Sequence, residues 1–284
     1  MKIAYFIMVH NKKMMFYRLI RAIYDVNNLY LVHVDPKADD SIKEFMKQLT
    51  GNHPNIRQVS PRHIGYAAWS MVEVELDAIK ELLSWDAEWT HFINLSGQDM
   101  PLVKQSQVLE VLSSKPNANY IRLQEATHKD KEILYNAYYI EDCGQLKRLG
   151  DREPFEYYFD ASIKPYLGSQ WKILTRSFAE YAVTSLWAFE LKEYFRYVLI
   201  PDEHYFPTLF MSSEFKNTLV PGNLRYIILE NRENGFNGAS VLTSKNLMGM
   251  FNSNALFARK FDDQIDAGVL TIIENSLGID QEEG

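Results

Sequence analysis

Apolar positions along this chain fall into two alternating rhythms. Residues 2–9 form a short apolar run, the pattern of a buried strand, and residues 13–25 then place apolar side chains at helical spacing. The alternation repeats. Residues 29–35 (Leu-Tyr-Leu-Val-His-Val-Asp) predict a strand ending on a carboxylate, 40–49 a helix with Asp40 or Ser41 as its cap, and 56–59 a short strand. Residues 69–84 predict a long amphipathic helix, 90–95 a strand, 104–113 a helix and 119–123 a strand. Repeated strand–helix units predict an α/β fold, a Rossmann-like and mostly parallel sheet with helices on both faces. Open sheets of this type bind ligands beyond the carboxyl ends of their strands, which puts His10, Asp35 and Ser96–Asp99 on the ligand side.

The second half is less regular. Residues 124–167 are polar and aromatic with weak periodicity and read as loop, either beside an acceptor or as mobile surface. Residues 170–175 predict a strand, 177–197 one long helix, 225–230 a strand and 244–252 a short helix. No Pro/Gly/Ser linker, repeat or low-complexity tract divides the chain, so a single domain is expected over 1–284, ending in a frayed acidic tail at Asp280–Gly284.

Composition narrows the function. A net charge of -7 argues against nucleic acid as a partner. The single cysteine, Cys143, excludes an intrachain disulfide and points to a reducing compartment. There is no 18-residue apolar run, and the apolar stretch Met1–Ile7 is too short for a signal peptide core. The expectation is a cytoplasmic protein that can associate peripherally with a membrane. The 17 Tyr and 16 Phe are enough to serve both core packing and stacking on sugar rings.

Two short segments carry the candidate chemistry. Pro201-Asp202-Glu203 follows the apolar run Tyr197–Ile200 at the start of what reads as a helix. Arg259-Lys260 lies between Phe257 and Phe261. A carboxylate to take a proton and a cationic pair to hold a leaving phosphate are the minimum equipment for metal-free transfer from a nucleotide sugar. Taken alone, Asp202 and Glu203 also read as ordinary N-terminal helix acids, and the basic pair as a solvated surface pair. A carboxylate in a first helical turn gains from the helix dipole, which favours its ionised form. Asp202 stands where a cap usually stands and reads as that cap or as an orienting partner on the donor and acceptor side.

Six segments together resemble the core-2/I-branching enzyme family, which contains β-1,6-N-acetylglucosaminyltransferases and peptide O-xylosyltransferases. They are Ile3–His10, Tyr30–Asp35, Phe92–Leu102, Gly168–Phe178, Pro201–Leu209 and Leu256–Phe261, in the family's order. The resemblance implies a GT-A fold, a UDP-sugar donor, inversion at the anomeric carbon and no divalent metal. It makes Glu203 the catalytic base and Arg259 and Lys260 the diphosphate contacts. It places Val9, His10 and Asp35 beside the nucleotide. Asp99 would touch the donor sugar or hold its loop, and Trp171 of Gly168-Ser169-Gln170-Trp171 would lie beside the acceptor. Most GT-A enzymes hold a metal with Asp-x-Asp. This chain has only Asp-x-Glu, at Asp86/Glu88, Asp130/Glu132, Asp151/Glu153 and Asp280/Glu282, none at the end of a predicted buried strand.

Three departures from the family pattern are visible. Gly65-Tyr66-Ala67-Ala68-Trp69-Ser70 replaces a Trp-Gly-Gly stretch, with alanines where close backbone approach favours glycine. Asn234–Gly238 lacks an Arg found upstream of the basic pair in animal members, which leaves Arg232 or Lys245 as substitutes. The strand 224–229 is not followed by the Trp of the acceptor platform. The expected activity is transfer of N-acetylglucosamine or xylose to a glycan or lipid-linked glycan, in a bacterial enzyme of surface polysaccharide synthesis at the inner membrane face. Two alternatives stay open: a sugar nucleotidyltransferase, disfavoured by the missing Gly-rich phosphate loop, and a non-catalytic sugar-binding protein on the same fold.

Overall fold

The computed structural model describes residues 1–142, 144–231 and 237–279. Cys143, Arg232, the stretch Asn234–Phe236 and the acidic tail with Asp280/Glu282 lie outside the described residues. The central sheet has seven strands in the order Leu219–Pro221, Asn119–Glu125, Tyr166–Thr175, His91–Ser96, Ile3–Val9, Leu29–Val34 and Ile56–Gln58. Neighbours run parallel, except that Tyr166–Thr175 is antiparallel to both His91–Ser96 and Asn119–Glu125. The expected α/β architecture, a mostly parallel sheet flanked by helices, is the one observed.

Strand periodicity explains the two layers. Along Ile3–Val9, side chains alternate between faces. Ile3, Tyr5, Ile7 and Val9 join Phe16, Leu19, Ile42 and Met46 from the helices Lys13–Ile23 and Asp40–Asn52. Ala4 and Phe6 pack on the other face with Val72, Leu76, Ile79 and Leu82 of the helix Ser70–Trp85. Each fully buried Ile, Leu or Phe contributes on the order of 2 kcal/mol. A third cluster, around Met100, Leu102, Ala258, Phe261, Val269 and Ile273, packs the helix Ala267–Leu277 against the basic-pair segment.

Several local expectations change. The helix predicted over 177–197 is two helices, Arg176–Thr184 and Leu186–Phe195. Ser185 breaks it: extended at φ -77°, ψ 144°, it accepts the Ala188 N–H and so caps the second helix. The region 124–167 contains an antiparallel hairpin, Ala137–Asp142 with Gln145–Asp151, and no simple loop. Its Glu141 accepts from the Gly65 and Ser70 N–H groups, anchoring the hairpin on the start of the helix Ser70–Trp85. The strand predicted at 225–230 splits into Arg225–Ile227 and Leu229–Asn231, which belong to different sheets. The helix at 244–252 opens with a 3-10 turn, Ser244–Asn246, before Leu247–Phe251. The helix Asp40–Asn52 follows Asp39, and no side chain caps it. The helix Ala267–Leu277 had no expectation at all.

Candidate active site

The ligand-side rim of the sheet begins where Ile3–Val9 and Leu29–Val34 end. The Asp35 N–H bonds the Val9 carbonyl at 2.8 Å, locking the two strand ends together. One Asp35 carboxylate oxygen accepts the Lys37 N–H at 2.8 Å, which orients the group at the rim. His10 projects from the neighbouring strand end and is exposed. Its imidazole is held below the usual range by desolvation, which outweighs the attraction of Asp35, and then by Lys260 and Arg259. The electrostatics therefore bring Val9, His10, Asp35 and the basic pair to one rim, although 249 residues or more separate Lys260 and Arg259 from His10 in sequence.

The basic pair is held by the Ser96–Leu102 loop. Phe257–Arg259 pairs antiparallel with Met100–Pro101. The Phe261 N–H donates to the Gln98 carbonyl at 2.9 Å, and the Gln98 side chain donates back to the Phe261 carbonyl at 2.9 Å. The two segments that looked most family-like are thus packed on each other. Asp99 accepts from the Ser96 N–H at 3.0 Å and from the Ser96 hydroxyl at 2.9 Å, so it holds its loop. Arg259 Nη1 lies 3.4 Å from an Asp99 oxygen, and the guanidinium stacks over the Trp171 ring at 3.8 Å. That Nη1 is buried and makes no hydrogen bond of good geometry. A buried donor left so is poised for an anionic ligand. Burial lowers the Arg259 pKa, against the pull of Asp99.

Asp202 and Glu203 enter from the other face of the sheet. Pro201–Glu203 is a 3-10 turn, and the α-helix Tyr205–Met211 starts two residues later. Two expectations are corrected here. Asp202 caps nothing: no side-chain capping bond forms at this turn, and its Oδ1 is buried with no hydrogen-bond partner. The helix dipole does not dominate Glu203 either. Burial, then repulsion from Asp202, push its pKa up to about 7, with only Arg122 pulling the other way. Burial likewise raises Asp202 to about 6, opposed by its own backbone N–H and by Lys172. A carboxyl with a midpoint near neutrality is a stronger base than an ordinary glutamate.

The turn is held by strain. Ile200 is left-handed at φ 55°, and its N–H bonds the carbonyl of Ala67, itself left-handed at φ 60°. Ala67 is one of the two alanines standing where the family pattern has glycine. Such conformations cost an L-residue about 1–2 kcal/mol each and cluster at functional sites.

The strand Tyr166–Thr175 connects the two halves. Gly168 approaches Asn119–Glu125 so closely that a Cβ would sit 2.2 Å from the Arg122 carbonyl oxygen. Trp171 carries Arg259 on one face, and Lys172 points to the other. Lys172 is wholly buried and bonds Glu75 at 2.8 Å and the Gln170 carbonyl at 2.6 Å. Sequence reasoning missed Lys172, Glu75, Arg122 and Arg225. Two signals were available: a lysine interrupting the apolar run Trp171–Leu174, and a glutamate on the apolar stripe Val72/Leu76/Ile79. Arg225, half-buried, donates to the carbonyls of Asn94, Lys172 and Asn223. It is a cation that feels the charges of Asp99 and Arg259, a residue type the sequence suggested at Arg232 or Lys245. Among the described residues, no three His, Cys, Asp or Glu side chains come together as a metal-holding group. No helix of the described residues is long and apolar enough to cross a membrane.

A sequence model described as Core-2/I-Branching enzyme matches residues 3–245. The human "Beta-1,3-galactosyl-O-glycosyl-glycoprotein beta-1,6-N-acetylglucosaminyltransferase 3" is 25% identical over 302 residues, covering 97% of this chain and 68% of the relative. The human "N-acetyllactosaminide beta-1,6-N-acetylglucosaminyl-transferase" is 28% identical, covering 92% of this chain and 68% of the relative. A xylosyltransferase of Ciona intestinalis is 29% identical over 233 residues, 79% of this chain but 26% of that protein. Among solved structures, Staphylococcus aureus TarS 1–349 in complex with UDP superposes with a TM-score of 0.36 at 11% identity, covering 69% of this chain and 56% of that one. At that level the match carries no functional argument.

Proposed function

This chain belongs to the Core-2/I-branching enzyme family and is a glycosyltransferase, and on that premise we propose an inverting, metal-independent transfer from a UDP-sugar. The sugar is N-acetylglucosamine or xylose, the two named among its relatives. The acceptor is a hydroxyl of a glycan or lipid-linked glycan in surface polysaccharide synthesis, and the whole chain works as one domain. Its donor half is about 1–125 and its acceptor and catalytic half about 126–265. The enzyme acts in the cytoplasm, at the inner membrane face when its acceptor is lipid-linked.

Glu203 takes the proton of the attacking hydroxyl while the hydroxyl oxygen bonds the anomeric carbon from the side opposite UDP. Arg259 and Lys260 bind the diphosphate oxygens as the C–O bond to UDP breaks and negative charge collects there. Val9, His10 and Asp35 seat the nucleotide. Asp99 holds Arg259 in place, and Trp171 supports it from below. The fixed guanidinium offers the charge compensation that a metal provides in other transferases. The observation that carries this reading is the place of Glu203, a half-buried carboxylate on the turn Pro201–Glu203, which the Ile200 N–H ties to the Ala67 carbonyl.

The test is sugar transfer from UDP-N-acetylglucosamine and UDP-xylose to galactose- and glucose-terminated acceptors in excess EDTA, for wild type and Glu203→Gln. Loss of a general base lowers the rate about a hundredfold or more. Near-normal transfer by Glu203→Gln would remove Glu203 from the reaction. A strict requirement for Mg²⁺ or Mn²⁺ would remove the metal-free mechanism.

A further inference from the structure

The loop 65–69 and the turn Pro201–Glu203 meet through one hydrogen bond between two strained residues. The Ile200 N–H donates to the Ala67 carbonyl at 3.0 Å. Ala67 is left-handed at φ 60° and Ile200 at φ 55°. Neither is glycine, so each conformation is costly and persists only where its surroundings enforce it. The Glu203 N–H donates to the Ile200 carbonyl at 3.1 Å, so the place of Ile200 sets the place of Glu203. Trp69, in the same loop, packs edge-on against Tyr205 with ring centroids 5.5 Å apart.

Glu141, from the hairpin strand Ala137–Asp142, holds this loop at both ends. One carboxylate oxygen accepts from the Gly65 N–H at 3.1 Å and from the Ser70 hydroxyl at 2.7 Å. The other accepts from the Ser70 N–H at 3.1 Å. The Ser70 hydroxyl in turn accepts from the Gly65 N–H at 2.9 Å. The helix Ser70–Trp85 lacks a cap of its own, because Trp69 at the cap position makes no side-chain capping bond. A cap needs only an acceptor for the first N–H groups of its helix. Glu141 does more, since Gly65 lies on the far side of Ala67 and the two grips close the loop around it. The fit is tight: a Cβ on Gly65 would sit 2.7 Å from the Glu141 oxygen. The same strand also reaches the other partner of the strained bond. The Tyr139 N–H donates to the Tyr197 carbonyl at 3.0 Å, and Tyr138 stacks on Tyr197 with centroids 4.5 Å apart. Residues 138–141 therefore clamp both of the segments that meet at Ala67 and Ile200.

Taking Glu203 as the base, we propose that Glu141 is a positioning residue for sugar transfer: it fixes the loop 65–69, and the Ala67 carbonyl of that loop fixes the turn that carries Glu203. Glu141 contacts no reacting atom in this arrangement. It acts on the geometry of attack, where a misplacement of about 1 Å costs about a hundredfold in rate.

Hydrogen exchange of the whole chain, read by mass spectrometry, tests the link without substrate. In Glu141→Ala the amides of 197–205 should exchange about tenfold faster or more, while those of the strand Ile3–Val9 keep their wild-type rates. Glu141→Gln retains one oxygen for the Gly65 and Ser70 donors and should show a smaller change. Gly65→Ala displaces the carboxylate with Glu141 still present and should resemble Glu141→Ala. Unchanged exchange at 197–205 in Glu141→Ala overturns the proposal.

A double-variant comparison tests the bearing on the reaction. With UDP-N-acetylglucosamine or UDP-xylose as donor, Glu141→Ala should lower kcat by about tenfold to a hundredfold and leave the KM for the donor within about twofold. In the Glu203→Gln background the same substitution should cost less than about twofold, because no base is left to position. A helix cap without catalytic bearing would cost the same factor in both backgrounds, or nothing in either, and both outcomes overturn the proposal. Should Glu141→Ala fail to fold, the same comparisons made with Glu141→Gln decide. The two readings fail separately. Near-normal transfer by Glu203→Gln removes the base, and the positioning role with it. Loss of transfer in Glu203→Gln beside an unchanged kcat in Glu141→Ala removes the positioning role alone.

Discussion

The raised midpoint of Glu203 means that the ionised carboxylate weakens the fold, and Glu203→Gln should show by how much. The side chain titrates near 7 in the folded protein, against 4.5 for an ordinary glutamate. The folded state therefore binds this proton more tightly than the unfolded chain. Below pH 4.5 both states are protonated and the advantage of the protonated group is complete. As the pH rises from 4.5 to 7, the unfolded chain ionises freely while the folded protein must ionise a buried group, and stability is lost. Above pH 7 the deficit reaches its limit of about 3 kcal/mol. Glutamine has the same shape and no charge, so it escapes this loss. Removing the charge beside Asp202, whose midpoint is also raised, to about 6, acts in the same direction. The difference in stability between Glu203→Gln and wild type should be near zero at pH 4.5 and approach 3 kcal/mol at pH 8. For a chain of this length that is a rise in Tm of about 6 °C. Thermal melts by circular dichroism at pH 4.5, 6, 7 and 8 measure it. A Tm difference that is independent of pH, or a wild type that gains on the variant as pH rises, would refute the claim that burial sets the proton affinity of Glu203.

Three further outcomes follow from the same geometry. Calorimetric titration of UDP in EDTA should show binding to wild type and a loss of tenfold or more in affinity for Arg259→Ala/Lys260→Ala, because charge-assisted contacts to phosphate are among the strongest polar interactions; equal affinities would place the diphosphate elsewhere. Gly168→Ala sets a Cβ 2.2 Å from the Arg122 carbonyl and 2.9 Å from Pro207 Cγ, and the forced shift of the strand should cost about 2 kcal/mol or more in urea unfolding, whereas an unchanged midpoint would mean the strands separate freely. Ala67→Gly relieves a left-handed alanine at φ 60°, a gain of about 1 kcal/mol that the greater freedom of glycine in the unfolded chain roughly offsets, so stability should hold within about 0.5 kcal/mol; a loss above 1 kcal/mol would show that the methyl group itself is needed.

Much of residues 1–125 was legible in the sequence because its elements are local and periodic. The runs at 3–9, 29–34 and 91–96 are buried on both faces, so each reads as a strand without knowledge of its neighbours. The strand-end rule then placed His10, Asp35 and Asp99 near the ligand edge, and the six family segments pointed to Glu203 and to Arg259-Lys260. What failed was also local in cause. A helix signal over 177–197 could not see that Ser185 would turn its side chain back on Ala188. The hairpin 137–151 has weak alternation because much of it is half-buried or exposed.

The sequence by itself determined the alternation of elements, the carboxylate and cation types at the site, and the family. Tertiary structure decided what those groups are. Asp202 looked like a helix cap, and burial without a capping bond made it a buried charge. Glu203 looked like a dipole-favoured carboxylate, and enclosure beside Asp202 pushed its proton affinity up to a midpoint near 7. Lys172 and Glu75 are 97 residues apart and joined only when the strand Tyr166–Thr175 crosses the helix Ser70–Trp85. The physical reason is the same in each case. Residue type and spacing fix which groups can ionise, whereas desolvation and the charges that face a group depend on contacts between distant segments, and those set its proton affinity.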